Sequence, residues 1–185
     1  MESKIILKAA HFASQKHRDQ RRKDKEASPY INHPLNVAIL ISDIGQIQDP
    51  EILAAALLHD TIEDTDTKPE ELEKFFGLRV RNLVEAVTDD KSLPKEERKK
   101  RQIEHAAELS ADATLIKLGD KISNVLDVTK NPPSNWNIER RKQYFDWAEC
   151  VINNCPKVNS YLEEYFRKVI KEGREKVQTE IKTIK

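Results

Sequence analysis

The residues able to do chemistry gather in Ala54-Ala-Ala-Leu-Leu-His-Asp-Thr-Ile-Glu-Asp64, an apolar run that ends in charge. At helical spacing, Leu53, Ala54, Leu57 and Leu58 form a core-facing stripe. The same spacing sets His59 over Glu63, and Asp60 over both Glu63 and Asp64. Carboxylates crowded on one face repel one another unless positive charge neutralises them. A divalent metal would do so, with His59 and Asp60 as a mixed nitrogen and oxygen pair suited to one. Burial accounts for the start of this stretch and not for its end.

Other elements must complete such a coordination shell. His33 follows Pro29-Tyr30-Ile31-Asn32 at the opening of a helix, in a stretch too polar for a core. Asp120 lies in Leu115-Ile-Lys-Leu-Gly-Asp-Lys-Ile-Ser-Asn124, where apolar neighbours would half bury it. An unpaired aspartate there is costly, so a cationic partner is expected. Asn124, four residues on, shares its face. Taken singly, His33 has a plain reading as a capping histidine and Asp120 as a salt-bridge partner.

The segments that must position these groups read as helices. The first runs through Ile5, Ala9 and Ala13 after Ser3 as a cap; a polar basic loop spans 19–30. Asn32 reads as the cap of a second helix reaching Ile41, and Asp49-Pro50 opens the organising helix. Lys68-Pro69 starts a short helix ending at Gly77, and Leu78 to Val87 makes another. A charged helix follows Pro94 to about Leu109, and Ser110 or Asp112 caps the next, to about Thr129. Two more span about 138–154 and 158–170, and the polar tail 171–185 is expected to fray. Only 4 glycines and few alternating runs leave little room for strands. The expectation is one all-α helical-bundle domain over 1–185, with its core at about 3–170.

Composition narrows the partners. Basic and acidic residues number 32 each, so no overall charge draws the chain to nucleic acid or to an anionic membrane. No apolar run is long enough to span a bilayer, and the start lacks signal-peptide architecture. Cys150 and Cys155 make neither a disulfide framework nor a zinc ribbon, which suggests reduced thiols and a cytoplasmic location. No obligate protein partner is evident. The one partner expected is a small-molecule nucleotide.

In order and spacing, His33, His59-Asp60 and Asp120 resemble the HD-domain metal phosphohydrolases. Four stretches narrow the likeness: Arg22-Lys-Asp with Pro-Tyr-Ile-Asn-His-Pro34, His-Asp-Thr-Ile-Glu-Asp64, Val-Thr-Asp-Asp-Lys91 and Lys-Leu-Gly-Asp-Lys-Ile-Ser-Asn124. Together they resemble the hydrolase domain of the RelA/SpoT stringent-response enzymes. Over about 3–170, through Tyr144-Phe-Asp-Trp147, the chain is similar to the stand-alone animal form of that hydrolase.

The resemblance implies hydrolysis of the 3′-pyrophosphate of guanosine tetra- or pentaphosphate, with one manganese ion (Mn2+) as the usual metal. It also implies a possible 2′-phosphatase activity on NADPH. His33, His59, Asp60 and Asp120 match the metal ligands, and Glu63 and Asp64 match the catalytic acids. Arg22, Lys23 and Lys95 match phosphate contacts; Asn124 and Tyr144, with Arg140 beside them, match the nucleoside side. Relatives that only synthesise lose the His-Asp and Glu-Asp pairs, and this chain keeps both. Ala27 stands where the family loop commonly has glycine, which unsettles Arg22 and Lys23, and Gly119 stands where alanine is usual. The alternatives are another HD-domain nucleotide phosphohydrolase or a nucleotide-binding module without turnover.

Overall fold

Asp49 and Pro50 fix the start of the helix around which the others pack. The Asp49 carboxylate accepts hydrogen bonds from the Glu51 and Ile52 amides at 2.9 and 3.3 Å, and Pro50 has no amide to satisfy. The computed structural model describes residues 2–184. In chain order its helices are α1 (Glu2–Lys16), α2 (Asn32–Ile39), α3 (Pro50–Leu58), α4 (Thr61–Asp64) and α5 (Pro69–Phe76). Then come α6 (Leu78–Val87), α7 (Lys95–His105), α8 (Ala111–Lys130), α9 (Ile138–Asn154) and α10 (Ser160–Ile184). The fold is all-α.

Helix α3 is buried on every side from Ile52 to Leu58, with α1, α2, α6 and α8 around it. Ala9 and Ala13 of α1 and Ala54 to Ala56 of α3 are all fully buried. Small side chains on both partners let these two axes approach closely. Helix α8 forms the second spine, contacting α2, α3, α6, α9 and α10. Ser110 is its cap, its hydroxyl accepting from the Ala113 amide at 3.2 Å. Among the described residues, no helix is long and apolar enough to cross a membrane.

The organising helix does not run unbroken to Asp64. It stops at Leu58, His59 and Asp60 form a corner, and α4 is a separate turn. The Thr61 hydroxyl donates to the Leu58 carbonyl at 2.7 Å, and Asp60 sits at φ −95°, ψ −2°. That conformation lies between helix and turn and recurs at active sites. Asn32 is not a cap either. The Asn32 and His33 amides already bond to the Pro29 and Tyr30 carbonyls, so α2 begins without a side-chain cap.

The largest correction concerns the end of the chain. The tail expected to fray from residue 171 continues α10 as helix to Ile184, and that helix starts at Ser160 rather than Val158. It packs on α8 and α9, with Val177 1% exposed. Arg141 of α9 forks onto Glu180, its two Nη atoms 2.6 and 3.2 Å from the carboxylate. Gly173 is the close point: a methyl group there would stand 2.6 Å from Thr129 Oγ1 and 2.9 Å from Phe145 Cζ. In a frayed tail, Gly173→Ala would stabilise the helix by about 1 kcal/mol. In this packed one, overpacking outweighs that gain, and we expect a net loss of about 1–2 kcal/mol by urea denaturation.

Candidate metal centre and cleft

Three elements deliver the four expected ligands to one point. His33 comes from the first turn of α2, His59 and Asp60 from the α3–α4 corner, and Asp120 from mid-α8. His33 Nε2 lies 3.2 Å from Asp120 Oδ1 and 3.7 Å from Asp60 Oδ2. His59 Nε2 lies 3.1 Å from Asp60 Oδ2 and 3.8 Å from Asp120 Oδ1. His33, His59 and Asp60 make a group compact enough to hold a metal ion, and Asp120 faces the same point. Gly119 permits this convergence. A methyl group there would come within 3.0–3.1 Å of Ile41 and Val37, so its absence lets α2 lie against α8 beside Asp120.

The donor atoms fit a cation. His59 Nδ1 is 2.8 Å from the Ala56 carbonyl and donates to it, which leaves the Nε2 lone pair facing inward. Nε2 is buried without a hydrogen-bond partner. A lone pair set against two carboxylates requires positive charge between them, a proton or a metal ion. Burial opposes charge on His59, yet Asp60 and Asp120 together push it up to about 9. A divalent ion bound at that point would take the place of the proton. Two imidazoles with two carboxylates form a nitrogen and oxygen set suited to such an ion, harder than thiolate zinc sites.

Outer partners hold the ligands in place. The Tyr30 hydroxyl donates to Asp60 Oδ2 at 2.7 Å, Asn124 Nδ2 to Asp120 Oδ1 at 2.5 Å, and Ser123 Oγ lies 3.0 Å from His33 Nδ1. The cationic partner expected for Asp120 is Lys121, 2.9 Å away and 4.6 Å from the centroid of the Trp147 ring. Burial raises both aspartates, but His59 holds Asp60 and Lys121 with His33 holds Asp120 below the usual carboxylate range.

The two acids occupy different walls. Glu63 lines a cavity of about 350 Å³ with all four ligand residues. Its Oε2 accepts from the Asp89 amide at 3.0 Å, while Lys91 Nζ and Arg98 Nη1 each stand 3.9 Å from Oε1. Burial first, then the charge of Asp60, lifts Glu63 to about 7. Asp64 instead borders an adjoining cavity of about 370 Å³, where it pairs with Lys91 and accepts from Gln20 Nε2 at 2.9 Å.

That second cavity contains Arg22, Lys23, Asn124 and Tyr144. Arg22 Nη2 reaches Asn124 Oδ1 at 3.0 Å and Asp127 Oδ2 at 2.5 Å. Ala27 takes φ +49°, a left-handed conformation that costs a non-glycine residue about 1–2 kcal/mol, yet the loop still closes. The Arg22 amide bonds to the Ser28 carbonyl at 2.8 Å. Lys95 and Arg140 lie farther out, in a third cavity of about 680 Å³ that shares Lys23 and Tyr144 with the other two. There Arg140 sits over the Trp136 ring at 4.6 Å. Arg98 and Lys99 of the charged helix α7 are half-buried.

The chain belongs to the HD-domain family, whose model matches residues 9–144. Its likeness to particular members extends over nearly the whole length. It is 52% identical over 162 residues to guanosine-3′,5′-bis(diphosphate) 3′-pyrophosphohydrolase MESH1 of Xenopus tropicalis, covering 88% of this chain and 90% of that protein. To the Homo sapiens protein of the same name it is 48% identical, covering 92% and 96%. It also superposes on a solved metazoan ortholog of SpoT that hydrolyzes ppGpp, with a TM-score of 0.88 and 47% identity, covering 91% and 94% of the two chains.

Tyr30 was not anticipated as an outer partner, although it stands within the Pro-Tyr-Ile-Asn-His run. Tyr30→Phe keeps the ring and removes the bond to Asp60. We expect metal affinity to fall about tenfold with the fold intact, read by competition with a chelating dye.

Proposed function

We propose that the protein is a manganese-dependent hydrolase that removes the 3′-pyrophosphate of guanosine tetra- and pentaphosphate, releasing GDP or GTP. The observation that carries this reading is the convergence of His33, His59, Asp60 and Asp120 on one cavity with Glu63 in its wall. It occurs in a chain about half identical, over nearly its full length, to pyrophosphohydrolases of that name.

A divalent ion bound at the four ligands supplies Lewis-acid charge and makes water more acidic. The chain's own groups do the rest. Water adds to the phosphorus bonded to O3′, the P–O3′ bond breaks, and O3′ takes up a proton from solvent to leave as the ribose hydroxyl. Glu63, with a pKa near neutrality, takes the proton from the attacking water. Asp64, fixed by Gln20 and Lys91, helps orient that water from the neighbouring wall. Arg22, Lys23 and Lys95 bind phosphate oxygens, and Arg22 does so in exchange for Asp127. Asn124, Tyr144 and Arg140 line the nucleoside side.

Chelator-stripped protein, supplied with manganese, should release pyrophosphate from guanosine tetraphosphate only when the metal is present. Silence with metal demonstrably bound would overturn the reading. NADPH presents a ribose phosphate beside a second phosphate-bearing arm, so it belongs in the same assay with free phosphate scored separately. His59→Ala or Asp60→Ala should abolish turnover and metal binding together. Glu63→Ala should retain the metal and lose about 10²-fold or more in kcat; a near-normal rate would make Glu63 structural.

A further inference from the structure

Lys117 is a buried amine that the fold leaves without an ion-pair partner. The residue is 7% exposed, and its Nζ makes one hydrogen bond, to the Val87 carbonyl at 3.1 Å. Among the described residues, no carboxylate lies within ion-pair distance of it. The acids nearby are engaged elsewhere: Glu63 with the Asp89 amide, Asp89 with Gln102, and Asp120 with Lys121 and Asn124. A buried ammonium short of counter-charge is expensive to keep, and replacing one by an apolar residue of similar volume is often stabilising. Burial first, and then Lys121, hold its pKa below the ordinary lysine range, as expected of a cation without a partner.

Its position says what partner would suit it. Lys117 lines the cavity that contains the four ligand residues and Glu63, together with Asp89 and Gln102. Because one ammonium hydrogen is committed to Val87, two remain to be donated. On its other side a smaller cavity, of about 180 Å³, is bordered by Arg98, Arg101 and His105, so no acid approaches from there except Asp89 and Asp90. An anion entering the metal cavity therefore meets an unpaired, desolvated amine whose charged form it would favour.

We propose that Lys117 is a catalytic residue of this site: its ammonium donates to a non-bridging oxygen of the 3′-pyrophosphate and holds the charge that grows there as the P–O3′ bond breaks. The role rests on the pyrophosphohydrolase reading above. The negative charge of the pyrophosphate favours the ammonium form of Lys117; in that contact Lys117 exchanges no proton and acts as a fixed donor in a water-poor cavity, where such groups have most effect.

The test compares Lys117→Met and Lys117→Gln with the natural chain, all loaded with manganese. Gln keeps a hydrogen-bond donor on a slightly shorter side chain and removes the charge; it decides the matter if the Met variant does not fold. We expect kcat on guanosine tetraphosphate to fall about 10²–10³-fold. Metal stoichiometry should be unchanged, and Tm no lower than in the natural chain. An unchanged kcat would overturn the proposal. So would a loss of kcat that tracks a loss of bound metal or a fall in Tm, because that pattern marks a purely structural lysine. Calorimetric titration with inorganic pyrophosphate separates this proposal from the activity itself. If the natural chain turns over no substrate, the functional reading fails, and Lys117 is then judged by pyrophosphate alone. Binding at least tenfold weaker in both variants supports the anion contact, and equal binding overturns it.

Discussion

Two imidazole nitrogens and two carboxylates share one buried point, and Lys121, paired with Asp120, is the one lysine or arginine within ion-pair distance of them among the described residues. Their mutual field is the constraint around which the molecule is arranged. Left without a cation, the group forces a proton onto His59 against the pull of burial. A bound divalent cation would join four side chains from three parts of the chain. A scaffold that holds such a group must be stable for other reasons, and here the reasons are apolar. Helix α3 is buried on every side, α8 is the spine beneath, and Gly119 lets α2 close against it. The costly site is held by a core that gains nothing from it.

Charge is graded outward from that point. Next to the ligands, Tyr30, Asn124, Ser123 and Lys121 each fix one ligand atom. Beyond them the walls divide, with Glu63 on the metal side and Asp64 beside Arg22 and Lys23. Farther out, aromatic rings and cations alternate: Arg140 over Trp136, Tyr144 between Trp136 and Trp147, and Lys121 over Trp147. Adjoining cavities that share Lys23 and Tyr144 thus offer ring faces suited to stacking and cations suited to anionic oxygens.

Much of this was legible in the residues themselves. The Asp-Pro and Lys-Pro starts, the Gly77 stop and the apolar period of α3 placed the helices, because caps and glycines act through bonds only a few residues long. His33 and Asp120 stood out as polar groups in places that packing did not explain. Two features escaped for physical reasons. The corner at His59 and Asp60 depends on the Thr61 hydroxyl choosing the Leu58 carbonyl, a local competition that helical period cannot register. The tail hid its packing stripe, Val169, Gly173, Val177 and Ile181, among lysines and glutamates whose number made the segment read as solvent. Outer partners such as Tyr30 became visible only when distant segments were brought together, since nothing in a sequence says which side chains will cross.

Arg22 is held by Asp127 and Asn124 before any substrate arrives. A guanidinium so occupied is a preset receptor with an internal competitor. A phosphate bound there would not gain the full attraction of a free cation; it would trade places with a carboxylate already there. The affinity would thereby be capped, and the same carboxylate could reclaim the arginine once the anion had gone. What looks like a spent ion pair would then act as a return spring.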